Sequence, residues 1–144
     1  MADRTTETLE RKLGFLHRYI SDLSGYAALD SEGRLREHYA IERLLQLLCE
    51  SAADIGLQFL KARGDTLPTS YREIFNALAR SGQLPPDLAA DLIAACGMRN
   101  VLTHLYDQID LQRVIAAVDP AIALYRSFAD WSLQQFRGST EQRE

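Results

Sequence analysis

One stretch of the chain gathers groups able to act on a phosphodiester: Gly97-Met98-Arg99-Asn100-Val101-Leu102-Thr103-His104-Leu105-Tyr106-Asp107. It sets a guanidinium, an amide, an imidazole and a phenol within about two turns of a helix. RNA brings its own nucleophile, the 2′-hydroxyl, so these groups can grip and cut it without a metal. An imidazole exchanges protons near neutrality, so His104 is the candidate to take the hydroxyl proton or to protonate the leaving 5′-oxygen. Arg99 offers a fixed fork of donors to the charge that builds on the phosphorane. Asn100 can orient the imidazole or bind a phosphate oxygen, and Tyr106 can stack on a base or hold a phosphate through its hydroxyl.

Helical spacing limits how these groups meet. Asn100 and His104 are four apart and Arg99 and Tyr106 seven apart, so the cluster lies on two lines roughly 100° apart around the axis. Arg99 and His104 are not aligned, and convergence on one phosphate requires the guanidinium to lean across or the helix to loosen near Thr103. One imidazole does not readily serve as base and acid together. A homodimer would bring two such clusters face to face, which a two-fold axis makes natural.

The elements that must carry this cluster read as helices. Leu9, Leu13, Leu16, Ile20, Leu23 and Ala27 step by four and three, as do Ile41, Leu45, Leu48, Ala52, Ile55 and Phe59. The stretch Asp30-Ser31-Glu32-Gly33 separates them, so the two helices should pack antiparallel across a short loop. Leu44, Leu47 and Leu57 widen the second apolar face. Gly64-Asp65-Thr66-Leu67-Pro68 ends it, and Ser70-Tyr71-Arg72-Glu73 has the form of a capping box opening a short helix with Tyr71, Ile74, Phe75 and Leu78 inward. Ser81-Gly82 stops that helix. Pro85-Pro86 suits the first turn of a fourth, with Leu88, Leu92, Ile93 and Ala95 inward. Asp110 can cap a fifth carrying Val114, Val118, Ile122, Tyr125 and Phe128, which Asp119-Pro120 should kink or split. Nothing alternates with period two. The expectation is an all-α, up-and-down bundle of about five helices without a sheet, spanning residues 1–137, with a flexible tail at 138–144.

The 144 residues fit one core, and 47% apolar with 25% charged residues is the profile of a water-soluble globule. A net charge of −4 argues against a surface that coats nucleic acid generally, though a local basic cleft remains compatible with it. No apolar run approaches the ~20 residues of a membrane span, and the polar start lacks a signal peptide's apolar region, so a cytoplasmic location is expected. There is no Gly-rich phosphate loop, and the two cysteines have no metal-ligand spacing. No cofactor or metal is therefore expected, and Cys49 and Cys96 read as small buried thiols.

Arginine and histidine recur at a similar spacing at Arg11 and His17. Those lie in the first helix seam and read as solvated side chains. His38, beside Arg34, Arg36 and Glu37, reads as a surface residue or the border of a cleft.

The segment from Tyr39 to Val118 resembles the HepT-like branch of the HEPN superfamily. The likeness is carried by Ile41-Glu42-Arg43-Leu44-Leu45-Gln46, by Tyr71-Arg72-Glu73-Ile74-Phe75, by Gly82-x-Leu84-Pro85, and by the block from Met98 to Asp110, which is similar to that family's Arg-x4-His-x-Tyr signature. The resemblance implies an all-α homodimer acting as a metal-independent endoribonuclease toxin, with Arg99 and His104 catalytic and Asn100 the polar neighbour. It also implies a minimal nucleotidyltransferase antitoxin as partner, in some systems adding AMP to the tyrosine matching Tyr106. Such a group would bring bulk and negative charge to the cleft and repel RNA. The competing reading is a non-catalytic helical dimer that binds a nucleotidyltransferase or nucleic acid without cutting it.

Overall fold

The computed structural model describes residues 4–143. Within them lie seven α-helices, no strand, and one three-residue 3-10 turn at Tyr106–Gln108. The helices are α1 (Arg4–Ala27), α2 (Ser31–Arg36), α3 (His38–Ala62), α4 (Tyr71–Arg80), α5 (Pro86–His104), α6 (Leu111–Ala116) and α7 (Val118–Arg143). Five are long, as the apolar spacing predicts. The two short ones arise where the sequence is punctuated. Asp30 ends the first seam by accepting from the Gly33 amide at 2.8 Å, which starts α2 where a plain loop is expected. Asp110 caps α6 through the Gln112 amide at 3.0 Å, and the chain breaks at Ala117, just ahead of Asp119-Pro120. The segment from Gly138, expected as a tail, is helical as far as Arg143.

α3 is the central helix, packed by α1 on one side and by α4 and α5 on another. Its seam Ile41, Leu45, Leu48, Ala52, Ile55 and Phe59 is buried throughout, as are Leu9, Leu13, Leu16, Ile20 and Leu23 of α1. Lys12 of α1 pairs with Asp54 of α3 at 2.7 Å, while Tyr26 and Ala40 line a common groove, so the two helices run antiparallel as expected. α3 closes with a Schellman motif. The Asp65 amide donates to the Leu60 carbonyl and Gly64, at φ +76°, donates to Lys61. At α4 the Ser70 hydroxyl accepts from the Glu73 amide at 3.2 Å, which is one half of the expected capping box. The Glu73 carboxylate turns instead to Asn76 and Arg80.

Gly56 lets α4 lie close on α3. A Cβ there would stand 2.8 Å from Ile74 Cγ2 and 3.0 Å from Leu78 Cδ1. Aromatic rings fill the opposite side: Phe59 meets Trp131 edge-on at 5.4 Å, and Phe75 meets Phe128 at 6.1 Å. The Trp131 indole N–H donates to the Gln83 carbonyl at 2.7 Å, fixing the α4–α5 turn to α7. Arg34 of α2 ties chain ends together, donating to the carbonyls of Ala27, Leu29 and Ile115 and pairing with Asp119 at 3.1 Å. No helix among the described residues is long and apolar enough to cross a membrane.

Candidate functional site

α5 runs antiparallel to α3 and delivers the signature residues to its polar edge. Cys96 and Cys49 mark the buried seam between them, their sulfurs 3.5 Å apart and both reduced, which agrees with their reading as small buried thiols. One turn further, Arg99 reaches over α3. Its Nη2 and Nε donate to the same oxygen of Glu50, at 2.9 and 3.3 Å, and its guanidinium carbon stands 5.0 Å from the centre of the Tyr71 ring. Desolvation works against the cation, but the Glu50 hydrogen bond and nearby negative charge prevail and raise its pKa. Arg99 is therefore charged at every accessible pH. The Tyr71 hydroxyl is pushed up, chiefly by desolvation and against the pull of Arg99.

Asn100 and His104 face outward, both exposed. His104 is the last residue of α5, and its imidazole takes no hydrogen bond or ion pair from the described residues. Leu105 leaves the helical region at φ −127°, ψ 42°, and the 3-10 turn follows. This break swings Tyr106 back toward α3. Its ring is about half exposed, and its hydroxyl lies on the side of Glu42 and Tyr39. Partial desolvation, and after it the nearby Glu42 carboxylate, push the phenol up to about 12.

The outward line of Asn100 and His104 lies on α5 as expected, whereas Tyr106 lies beyond the helix and is placed by the break at Leu105. Arg99 and Tyr106 turn to α3, while Asn100 and His104 turn to solvent. The helix does loosen, one residue beyond His104, but Arg99 does not lean toward the imidazole. No hydrogen bond, ion pair or ring contact joins Arg99 to His104 among the described residues, because Glu50 and Tyr71 occupy the guanidinium.

His38 differs from the surface reading. Its side chain is 18% exposed, its Nδ1 meets the Glu42 carboxylate, and its ring lies 4.0 Å from that of Tyr39. It borders the site, the other option left by the sequence. Glu42 is one of only two buried polar residues among those described, with its side chain 5% exposed. Sequence reasoning missed Glu42 and Glu50 as site residues. A signal was available: His38, Glu42, Gln46, Glu50 and Asp54 recur every four residues, a polar line along an otherwise apolar helix. The decoy Arg11 and His17 are exposed on α1, as expected of solvated side chains.

The described residues form a strand-free helical domain with Arg99 and His104 in the last turns of one helix and Tyr106 in the turn after it. The profile of the family described as Ribonuclease HepT-like matches residues 9–130, and the chain belongs to that family. A tRNA nuclease HepT from Aphanizomenon flos-aquae (strain 2012/KM1/D3) is 31% identical over 121 residues, covering 81% of this chain and 82% of that protein. Two solved structures show the same fold. A toxin–antitoxin crystal structure with AMP-PNP superposes with a TM-score of 0.77 at 19% identity, over 91% of this chain and 99% of its own. A tri-AMPylated Shewanella oneidensis HEPN toxin in complex with MNT antitoxin gives 0.62 at 23% identity, over 91% and 97%.

Proposed function

We propose that this protein is the toxin of a toxin–antitoxin pair, a metal-independent endoribonuclease that works as a homodimer. The observation that carries the proposal is the intact Arg99-x4-His104-x-Tyr106 signature on a chain of the HepT-like ribonuclease family, with the His104 imidazole unencumbered at a helix end. His104 takes the 2′-hydroxyl proton of one nucleotide, and the His104 of a second protomer protonates the leaving 5′-oxygen. Arg99 stabilises the phosphorane. Both donors held by Glu50 converge on one oxygen, so Nη1 keeps its hydrogens for a phosphate while Glu50 and Tyr71 fix the plane of the fork. Asn100, on the same outward line as His104, binds a phosphate oxygen or steadies the ring. A cleft of about 360 Å³, mostly apolar, opens beside Met98 and Arg99 between α5 and α7 and supports a contact between protomers.

The partner in this reading is a minimal nucleotidyltransferase antitoxin that transfers AMP to Tyr106. The modified residue would put a phosphate two positions from His104, where it blocks RNA by bulk and by like charge. RNA incubated with purified protein in EDTA should be cut. His104→Ala should abolish cutting while the helical circular dichroism and the melting temperature stay unchanged. Equal cleavage by wild type and His104→Ala would end the catalytic reading. Tight partner binding without turnover in the wild type would favour the non-catalytic dimer, a reading that the Arg99–Glu50 contact also suits.

A further inference from the structure

Cys49 of α3 and Cys96 of α5 are buried, unbridged, and unused by the cleavage chemistry. They are the two cysteines of the chain, 47 positions apart, and the fold sets their sulfurs 3.5 Å apart across the helix seam. A disulfide bond is about 2.05 Å long, so the sulfurs stand roughly 1.5 Å short of one. The pair is not symmetric. The Cys49 thiol donates to the Cys96 sulfur, which favours negative charge on Cys96 and opposes it on Cys49. That hydrogen bond, with help from the Arg99 cation, lowers the Cys96 pKa against desolvation, while the same contact and burial push the Cys49 thiol up. A cleft of about 360 Å³ opens where α3 and α5 meet α7. Of its wall, Leu45 precedes Cys49 by one turn, and Ala95 and Arg99 flank Cys96, so a small oxidant has a way toward the sulfurs.

Two thiols in contact, one readier than the other to ionise, suit a two-step oxidation in which one sulfur attacks and the other resolves. We propose that Cys96 and Cys49 form a redox-modification site for a hydroperoxide, closing to a disulfide that ties α5 to α3 and slows RNA cleavage. In the first step the Cys96 thiolate sulfur bonds to one peroxide oxygen and the O–O bond breaks. The departing hydroxide takes up the proton that Cys96 released and leaves as water, and Cys96 is now a sulfenic acid. In the second step the Cys49 sulfur bonds to the Cys96 sulfur, the S–O bond breaks, and the hydroxide leaves with the Cys49 proton as a second water. The sulfurs together lose two electrons and the peroxide is reduced. The effect on cleavage rests on the reading of Arg99 as catalytic. Glu50 follows Cys49 directly and Arg99 lies three residues beyond Cys96, so a bond between the sulfurs draws the guanidinium and its carboxylate together. A fork pressed onto Glu50 turns less readily to a phosphate.

The test treats reduced wild type with hydrogen peroxide and reads intact mass, alkylatable thiols, mobility on a non-reducing gel and RNA cleavage, each before and after dithiothreitol. The monomer mass should fall by the two thiol hydrogens, with no thiol left to alkylate. Cleavage should slow about tenfold and recover on reduction. Cys49→Ala should stop at a sulfenic acid on Cys96, captured by dimedone, and Cys96→Ala should give no such adduct at the same dose. Thiols still free after peroxide, a gain of oxygen without a bridge, or a bridge between chains overturns the proposal. A dimedone adduct on Cys49 in Cys96→Ala overturns the assignment of the attacking sulfur. A bridge that leaves cleavage unchanged overturns the effect on activity. These decisive readings of mass and rate are made on wild type, so they stand even if a variant fails to fold. RNA left uncut by reduced wild type sinks the nuclease reading and the effect on activity with it, while the mass still decides the disulfide.

Discussion

At one end of the α3–α5 seam Arg99 meets Glu50, and at the other Tyr106 lies on the side of Glu42. The two carboxylates stand eight residues apart on α3, roughly 12 Å along its axis. Glu50 is one-third exposed and faces a permanent cation, so its contact is held by charge and remains open to competition from a phosphate. Glu42 is buried and already engaged by an imidazole, while the phenol on its side, Tyr106, is half exposed. One helix thus carries two acids of different use. The first aligns the Arg99 cation, and the second lies beside His38 and raises the pKa of the Tyr106 phenol. Between these ends, His104 touches neither acid. In the proposed mechanism that freedom leaves its imidazole open to a substrate.

The comparison is broken most severely at the residues of α5. His104→Ala should lower the rate of RNA cleavage by about 10³-fold, and Arg99→Ala by about 10²-fold, with both proteins melting as wild type. Arg99→Lys should recover little, because an ammonium can neither fork onto a phosphate nor keep its plane over the Tyr71 ring. Single-turnover cleavage assays with thermal melts check this. Full activity of Arg99→Lys would show that only the charge at that end matters.

Glu50→Gln sharpens the comparison with a smaller effect. Removing the anion takes away the competitor for phosphate and, with it, the clamp on the guanidinium. The KM for RNA should fall about threefold and kcat should fall by about tenfold, since the fork loses its orientation. A change in KM alone would mean that Tyr71 suffices to hold the plane.

Much of this architecture is local and therefore legible from sequence. The seams of α1 and α3 follow from steps of four and three, the start of α4 from Ser70, and the split between α6 and α7 from Asp119-Pro120. Arg99 faces α3 on α5 itself, but Tyr106 lies beyond the helix end and is placed by the break at Leu105, which the seven-residue spacing does not foresee. What escapes a local reading is pairing between distant segments. Glu42 and Tyr106 are 64 positions apart, and Arg99 and Glu50 are 49 apart, so each looks like an ordinary polar residue in its own helix. Arg34 escapes in part for the same reason: its Ala27 and Leu29 carbonyls are near in sequence, but Ile115 and Asp119 lie 81 and 85 positions away. His38 is open to either reading because only the burial of Glu42, one turn on, decides between solvent and a partner.

The support beneath the two ends is more sensitive than either surface contact. Gly56→Ala would force Ile74 and Leu78 away from α3 and should cost about 1–3 kcal/mol, the usual cost of overpacking. Because α4 also carries Tyr71, the loss should reach the Arg99 end and spare the Tyr106 end. Denaturant unfolding gives the first quantity and the Tyr106 titration checks the second. A Tyr106 titration displaced in Gly56→Ala would mean the two ends are coupled.

That titration is the mildest effect and the most direct reading of the second end. In wild type the Tyr106 phenol should ionise at about 12, followed by the shift of its labelled ring carbon in NMR spectra. In Glu42→Gln the midpoint should fall toward the ordinary tyrosine value near 10, because the opposing charge is gone. The sign carries over to stability. A folded-state value raised above the unfolded one means the neutral phenol is favoured by folding, so the contribution is whole below about pH 10 and disappears as pH climbs through 12. Near neutrality the substitution should leave the Tyr106 phenol neutral, so its effect is read only at alkaline pH. An unmoved midpoint in Glu42→Gln would place the cause of the shift in desolvation against Tyr39 and leave the carboxylate without a hold on the phenol.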